Sequence, residues 1–230
     1  MNGLIHSSLY FGMLVSVGAY MLGVWLKKKT GWAILNPLLV AIIVVIAFLS
    51  VFHIEYKEYN RGAVYLSYLL TPATVCLAIP LYKQLELLRQ HLIAVASAIV
   101  AGVAGSVGSI YVMCRFFQLE HTHYVTLLPK SITTAIGMGV SEEAGGIVTL
   151  TVISIIITGI LGNIIADWLF QIFKIEEPIA KGLALGTAAH AIGTAKALEL
   201  GEIEGAMSSL SIAVAGLLTV VVVPLMSGLI

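Results

Sequence analysis

Apolar residues run along this chain in blocks rather than in alternation, and the charges gather in the gaps between blocks. The first block, about Ser7 to Leu26, ends at Lys27, Lys28 and Lys29, and the second runs from about Ala33 to Phe52. The polar stretch HIEYKEYNRG that follows reads as a loop. A third block, about Ala63 to Tyr82, contains Pro72 and Pro80. Proline removes a backbone donor and clashes with the preceding turn, so this block predicts an interrupted helix. The fourth, about Leu92 to Cys114, carries Gly102, Gly105 and Gly108 at a spacing that lets helices approach closely in lipid. Each block has about the 20 residues an α-helix needs to cross a hydrocarbon layer.

From residue 121 onward the pattern changes. LLPKSITTAIGMGVSEEAGG, Leu127 to Gly146, is too short and too polar for a plain span, and a long apolar block follows it, about Ile147 to Phe173. AKGLALGTAAHAIGTAKALELGEIEG, Ala180 to Gly205, is again rich in small residues and precedes a last apolar block, about Ala206 to Leu229. TTAIG (Thr133 to Gly137) and AHAIG (Ala189 to Gly193) occupy like places in the two units. The pattern therefore predicts an all-α polytopic membrane protein of about seven to eight membrane segments. Two of these are broken or re-entrant, with internal repeats. Residues 1–230 form one integral membrane domain, with four spans in 1–120 and two units of broken segment plus long helix in 121–230. The positive-inside rule favours the same reading. A full crossing by the Lys130 segment would put Lys174 and Lys181 on the wrong side, and a half-crossing restores them.

Composition agrees: 59% of the 230 residues are hydrophobic and 10% charged, against roughly a quarter charged in ordinary soluble domains. Twelve basic residues balance twelve acidic ones, which leaves no basic excess for nucleic acid. Cys76 and Cys114 have no metal or redox spacing around them and read as small buried hydrophobes. Lys27 to Lys29 follow the first apolar block rather than precede it, so that block reads as a retained helix and not a cleaved signal.

The chemistry concentrates in the two polar segments. A lysine near the bilayer centre costs on the order of 2.5 to 3.5 kcal/mol, so such a residue faces protein or water. On a helix beginning at Lys130, Thr133, Thr134 and Gly137 share a face, and the helix N-terminus with its ammonium would suit a carboxylate. Thr187, His190 and Thr194 form a second stripe at i, i+3 and i+7. Lys196 falls about 180° from Thr187 and joins that stripe only if the helix unwinds near Gly193; otherwise it snorkels beside Glu199. These spacings make Lys130, Thr133, Thr134, Thr187, His190 and Thr194 the candidate substrate-binding residues, with Asn36, Thr74, Ser131, Lys196 and Glu143 as further candidates. Glu142, Glu143, Glu199, Glu202 and Glu204 read as helix caps or headgroup neighbours, with proton coupling as the sharper alternative. Asp167 reads as interfacial. EHTH, Glu120 to His123, reads as a surface loop rather than a metal site. No cofactor or metal site is expected, and no catalytic motif such as GxSxG, HExxH or a Walker loop is present.

LNPLLVA (Leu35 to Ala41), PATVCLAIPLYK (Pro72 to Lys83), LLPKSITTAIGMGVSEEAGG and AKGLALGTAAHAIGTAKALELGEIEGAMSSL together resemble the LrgB/CidB family of bacterial membrane proteins. GTAKALE places the resemblance nearer the CidB branch. The resemblance implies a multi-pass protein of the bacterial inner membrane that works with a small holin-like partner of the LrgA/CidA type. It further implies antiholin-like or holin-like modulation of murein hydrolase activity, lysis and programmed cell death. Relatives are implicated in pyruvate uptake and, in plastids, in glycolate and glycerate exchange. The resulting expectation is a transporter subunit for a small monocarboxylate, dimeric by default. The alternative is a pore regulator with no substrate of its own.

Overall fold

A computed structural model describes residues 10–32 and 34–230, without the side chains of Leu70, Thr71, Thr74 and Leu81. Every regular element among the described residues is helical. The chain divides into two compact units, Met1–Cys76 and Leu77–Ile230.

In the first unit, α1 (Phe11–Thr30) is followed by α2 (Pro37–Val51). Gly31 adopts φ +70° and donates its N–H to the Lys27 carbonyl, a left-handed cap that ends α1 after its three lysines. Asn36 starts α2: its side-chain oxygen accepts from the N–H groups of Leu38 (2.9 Å) and Leu39 (3.3 Å), and Pro37 supplies the fixed φ of the first helical position. The stretch read as a polar loop is instead helical from Tyr56, as α3 (Tyr56–Ser67). Its Tyr59 and Ala63 pack on Gly12 of α1, and the Tyr59 hydroxyl meets Ser16 Oγ at 2.7 Å. One apolar face against α1 was enough to make a helix of a segment whose other face is charged.

The interruption expected at the prolines is present. α3, α4 (Leu70–Cys76) and α5 (Ala78–Lys83) break at residues 68–69 and 77. These breaks lie three to four residues before Pro72 and Pro80, where the missing proline N–H groups leave carbonyls without helical partners.

The second unit continues from α5 through α6 (Leu85–Gln90) to α7 (Leu92–Phe116), α8 (His121–Leu127), α9 (Thr134–Glu143), α10 (Val148–Ile172), α11 (Pro178–Leu200) and α12 (Glu202–Ser227). Among the described residues, α7, α10 and α12 are the three helices long and apolar enough to cross a membrane. At 25 or 26 residues each they span about 37 to 39 Å. The buried faces of α7 and α12, including Val95, Ile99, Val103 and Val107 of α7 and Ala206, Met207, Ala215 and Val223 of α12, form one core with Tyr124, Val125 and Leu128.

Both polar segments turn back on themselves. α8 runs into the unit, residues 128–133 reverse the chain, and α9 returns antiparallel to α10: Gly137 abuts Ile155, and Ser141 bonds to Thr151 at 2.6 Å. The helix expected from Lys130 thus begins at Thr134, because the preceding six residues are used in the reversal. α11 is interrupted at His190, whose φ of 41° and ψ of −134° are non-helical. Residues 178–189 run parallel to α12, with Gly182 against Glu204 and Gly186 against Ser208 and Ser211. Residues 191–200 return antiparallel to it, with Thr194 bonded to Ser208 at 2.7 Å and Leu198 over Gly205. Each limb is too short to cross: twelve residues extend only about 18 Å.

The two hairpins enter from opposite ends. Tyr124 near the start of α8 donates its hydroxyl to Met226 at the far end of α12 (3.0 Å), whereas α11 starts beside the beginning of α12. Their tips meet at mid-depth around Ile155 of α10. The packing is reciprocal: Ile192 of the second hairpin rests on Gly159 of α10, and Ile136 of the first rests on Gly216 of α12. In both hairpins the glycine of the shared AIG triplet, Gly137 or Gly193, lies against the carbonyl oxygen eight residues earlier, Pro129 or Leu185.

Candidate functional site

The site is built from the two tips. In the first, the chain folds through successive turns, with the Lys130 N–H on the Leu127 carbonyl and the Ile132 N–H on that of Pro129, before Thr133 goes extended (φ −63°, ψ 146°) and α9 begins. Lys130 is half-buried and donates from Nζ to Ser131 Oγ at 3.0 Å. Ser131 is buried and accepts a second bond from Ser106 Oγ of α7 at 2.9 Å. Thr133 and Thr134 are half-buried at the N-terminus of α9, where the first backbone N–H groups have no helical acceptor, and the Thr133 side chain makes no capping bond.

In the second tip, the reversal rests on one residue. A positive φ is unfavourable for a bulky side chain and persists only where surroundings hold it. His190 is 3% exposed, and its Nε2 lies 2.9 Å from the Ile155 carbonyl oxygen, so Nε2 carries the donated proton. Gly159 makes the slot: a Cβ there would stand 2.8 Å from His190 Cε1 and Nε2. The stripe expected of Thr187, His190 and Thr194 is therefore dispersed by the break. Thr187 faces Gly102 of α7, His190 faces α10, and Thr194 faces Ser208 of α12. The unwinding occurs three residues before Gly193. Of the three α7 glycines, only Gly102 has a neighbour within contact of its missing Cβ.

Between the tips lies a cavity of about 10 Å3, room for a single water and far below the roughly 300 to 1,000 Å3 of a ligand pocket. Its polar lining is Ser106, Ser131, Thr187 and Thr219. Lys130 bonds to Ser131 of this lining from one hairpin, and Thr187, three residues before His190, lines it from the other.

The remaining candidates lie elsewhere. Asn36 is the cap of α2 in the first unit. Thr74 lies in α4, with its side chain outside the described residues. Glu143 is exposed at the end of α9 remote from the tip. Lys196 donates to Asp167 Oδ2 of α10 at 2.7 Å, with the two side chains 13% and 48% exposed. Asn163, one turn before Asp167, donates to the Ile192 carbonyl at 3.1 Å, so two polar residues of α10 secure the returning limb of α11. The half-exposure of Asp167 keeps the ion pair modest. Lys196→Met should lower stability by about 1 kcal/mol, and the double variant with Asp167→Asn should recover at least half of that in thermal unfolding in detergent.

Ser106 and Thr219 were not visible as site residues in the sequence. Ser106 sits inside AGSVGS, which reads as a packing stripe, and Thr219 inside a plain apolar block. The EHTH stretch forms the start of α8, and His121 Nδ1 lies 2.7 Å from the Ile230 carbonyl oxygen.

The LrgB-like family profile matches residues 16–229. The chain is 41% identical over 217 residues to the antiholin-like protein LrgB of Bacillus mycoides and 38% identical over 216 residues to that of Bacillus subtilis, covering 94% of both chains in each case. No solved structure matches it. The chain is a membrane protein and belongs to the LrgB-like family.

Proposed function

We propose that this protein is the transporter subunit of a two-component system for small monocarboxylates, pyruvate-like or 2-hydroxy acids, in the bacterial cell membrane. It works by alternating access beside a small LrgA/CidA-type partner and has no catalytic role or cofactor of its own. The observation that carries the reading is the meeting of two re-entrant hairpins, entered from opposite ends, at mid-depth beside Lys130. Broken helices paired in an inverted arrangement are a recurring construction for transporter binding sites, in which helix N-termini and a cation receive an anionic group. Lys130 and the start of α9 attract the carboxylate, Thr133 and Thr134 offer hydrogen bonds, Thr187, whose own proton goes to the Leu183 carbonyl, accepts from a substrate hydroxyl, and His190 donates or shuttles a proton. Thr194, bonded to Ser208, supports the second tip from behind. The cavity as it stands is closed to a three-carbon acid, so one hairpin must withdraw for substrate to enter. Arg89, Lys174 and Lys181 lie toward the end of the second unit from which α11 enters, and the positive-inside rule assigns that end to the cytoplasm.

Proteoliposomes containing the chain, with and without its small partner, should show saturable uptake of radiolabelled pyruvate or glycolate. The second reading rests on the names of the relatives: an antiholin-like regulator of lysis with no substrate. Release of a large dye from the same vesicles without saturable carboxylate uptake would favour it over transport.

A further inference from the structure

The bonding around Ser131 fixes more than the shape of the tip. A hydroxyl oxygen has two lone pairs and one proton. Both acceptor positions on Ser131 Oγ are engaged, one by Lys130 Nζ at 3.0 Å and the other by Ser106 Oγ at 2.9 Å. The Ser131 proton is thus directed away from both donors, and Ser131 lines the small cavity between the hairpins. On the opposite wall the bias is reversed. Thr187 gives its proton to the Leu183 carbonyl at 2.8 Å and Thr219 gives its own to Ala215 at 2.7 Å, so each has only lone pairs left to offer. The first-hairpin wall donates, and the facing wall accepts.

We infer that Ser106 is a positioning residue for anion binding: from α7, outside both hairpins, it holds the Ser131 hydroxyl as a donor aimed at an incoming carboxylate oxygen. Without it Ser131 regains a free lone pair, its hydroxyl rotates, and that lone pair can face the anion. Ser106 is half-buried, and threonine keeps the donating hydroxyl that alanine removes, so threonine preserves the function while alanine abolishes it. Because α7 belongs to neither hairpin, the Ser106 bond exists only while the first tip is seated. Donor orientation and closure of the site are therefore linked.

The inference rests on the transport reading, and one experiment separates the two. In proteoliposomes containing the chain and its small partner, uptake of radiolabelled pyruvate is measured for the wild type, Ser106→Ala and Ser106→Thr. The expected result is a rise of about five-fold in KM for Ser106→Ala, the loss of one oriented hydrogen bond, with maximal rate within two-fold and KM restored in Ser106→Thr. A packing role would instead lower the amount of folded protein or the maximal rate and leave KM in place. Saturable wild-type uptake with an unchanged KM in Ser106→Ala, or a KM that Ser106→Thr fails to restore, overturns the role of Ser106 alone. Absence of wild-type uptake overturns the transport reading and this inference with it.

Discussion

Gly193→Ala should abolish the folded protein or lower its stability by about 3 kcal/mol or more, at the upper end of what overpacking costs. An alanine Cβ there would press into the Leu185 carbonyl oxygen, with the carbonyl carbon at 3.0 Å and the Ala189 Cβ at 2.8 Å. Both Leu185 and Ala189 lie in the opposing limb, and a backbone carbonyl cannot rotate away as a side chain can. The matching substitution in the first hairpin, Gly137→Ala, should be milder. Its Cβ would meet the flexible end of Ile155, and the Pro129 carbonyl stands off at 3.4 Å. Gly105→Ala supplies the contrast in sign: nothing lies within 4 Å of that position, and alanine is the better helix former by up to about 1 kcal/mol. Thermal unfolding in detergent, followed by size-exclusion recovery, should rank the three as Gly193→Ala, Gly137→Ala and Gly105→Ala from least to most stable. A Gly193→Ala protein that melts with the wild type would contradict the tight reversal of α11.

The second large effect is on transport. Lys130→Met keeps the length and apolar stem of the side chain while removing the ammonium, and should reduce the efficiency of pyruvate uptake by about 10- to 100-fold, the range of a charge-assisted hydrogen bond. His190→Gly is the informative partner substitution, because glycine accepts the φ of 41° that histidine holds under strain. The chain can still reverse at residue 190, while the imidazole and its bond to the Ile155 carbonyl are gone. Loss of uptake in a His190→Gly protein that remains monodisperse would be a loss of chemistry rather than of fold. Normal pyruvate flux in the combined Lys130→Met, His190→Gly variant would remove both residues from the site.

What the sequence disclosed was the kind of segment, and what it withheld was the position of each break. Pro72 and Pro80 announced their interruptions because the effect of proline acts through a fixed offset along its own helix. The two small-residue segments were legible as too short and too polar to cross. Where they reverse was not. A helix drawn from Lys130 assumes ideal geometry through Thr133, and the stripe through Thr187, His190 and Thr194 assumes it through His190, yet both chains turn at those places. Histidine visits the left-handed helical region more readily than most residues, but a φ of 41° with a ψ of −134° lies outside it; the slot at Gly159 and the Ile155 carbonyl, more than 30 residues away, hold it there. The partner of Lys196 was hidden for the same reason, since Asp167 meets it only once the returning limb lies along α10. Ser106 escaped notice because a serine among glycines and alanines has the composition of a packing face, whatever its hydroxyl does.

The reciprocal seating of the hairpins also bears on how the protein is made. The first hairpin leaves the ribosome well before α12, yet its hydroxyl anchor at Met226 and its glycine seat at Gly216 both belong to α12. Until those residues are synthesised, the reversal at 128–133 holds polar backbone in or near lipid with only part of its final support, a costly arrangement in hydrocarbon. The second hairpin has no such delay on its α10 side, because Ile155 and Gly159 are in place before His190 is translated. Assembly of the two halves is thus unequal in time although their packing is alike in space, and the earlier hairpin is the one that must wait, or be sheltered, during membrane insertion.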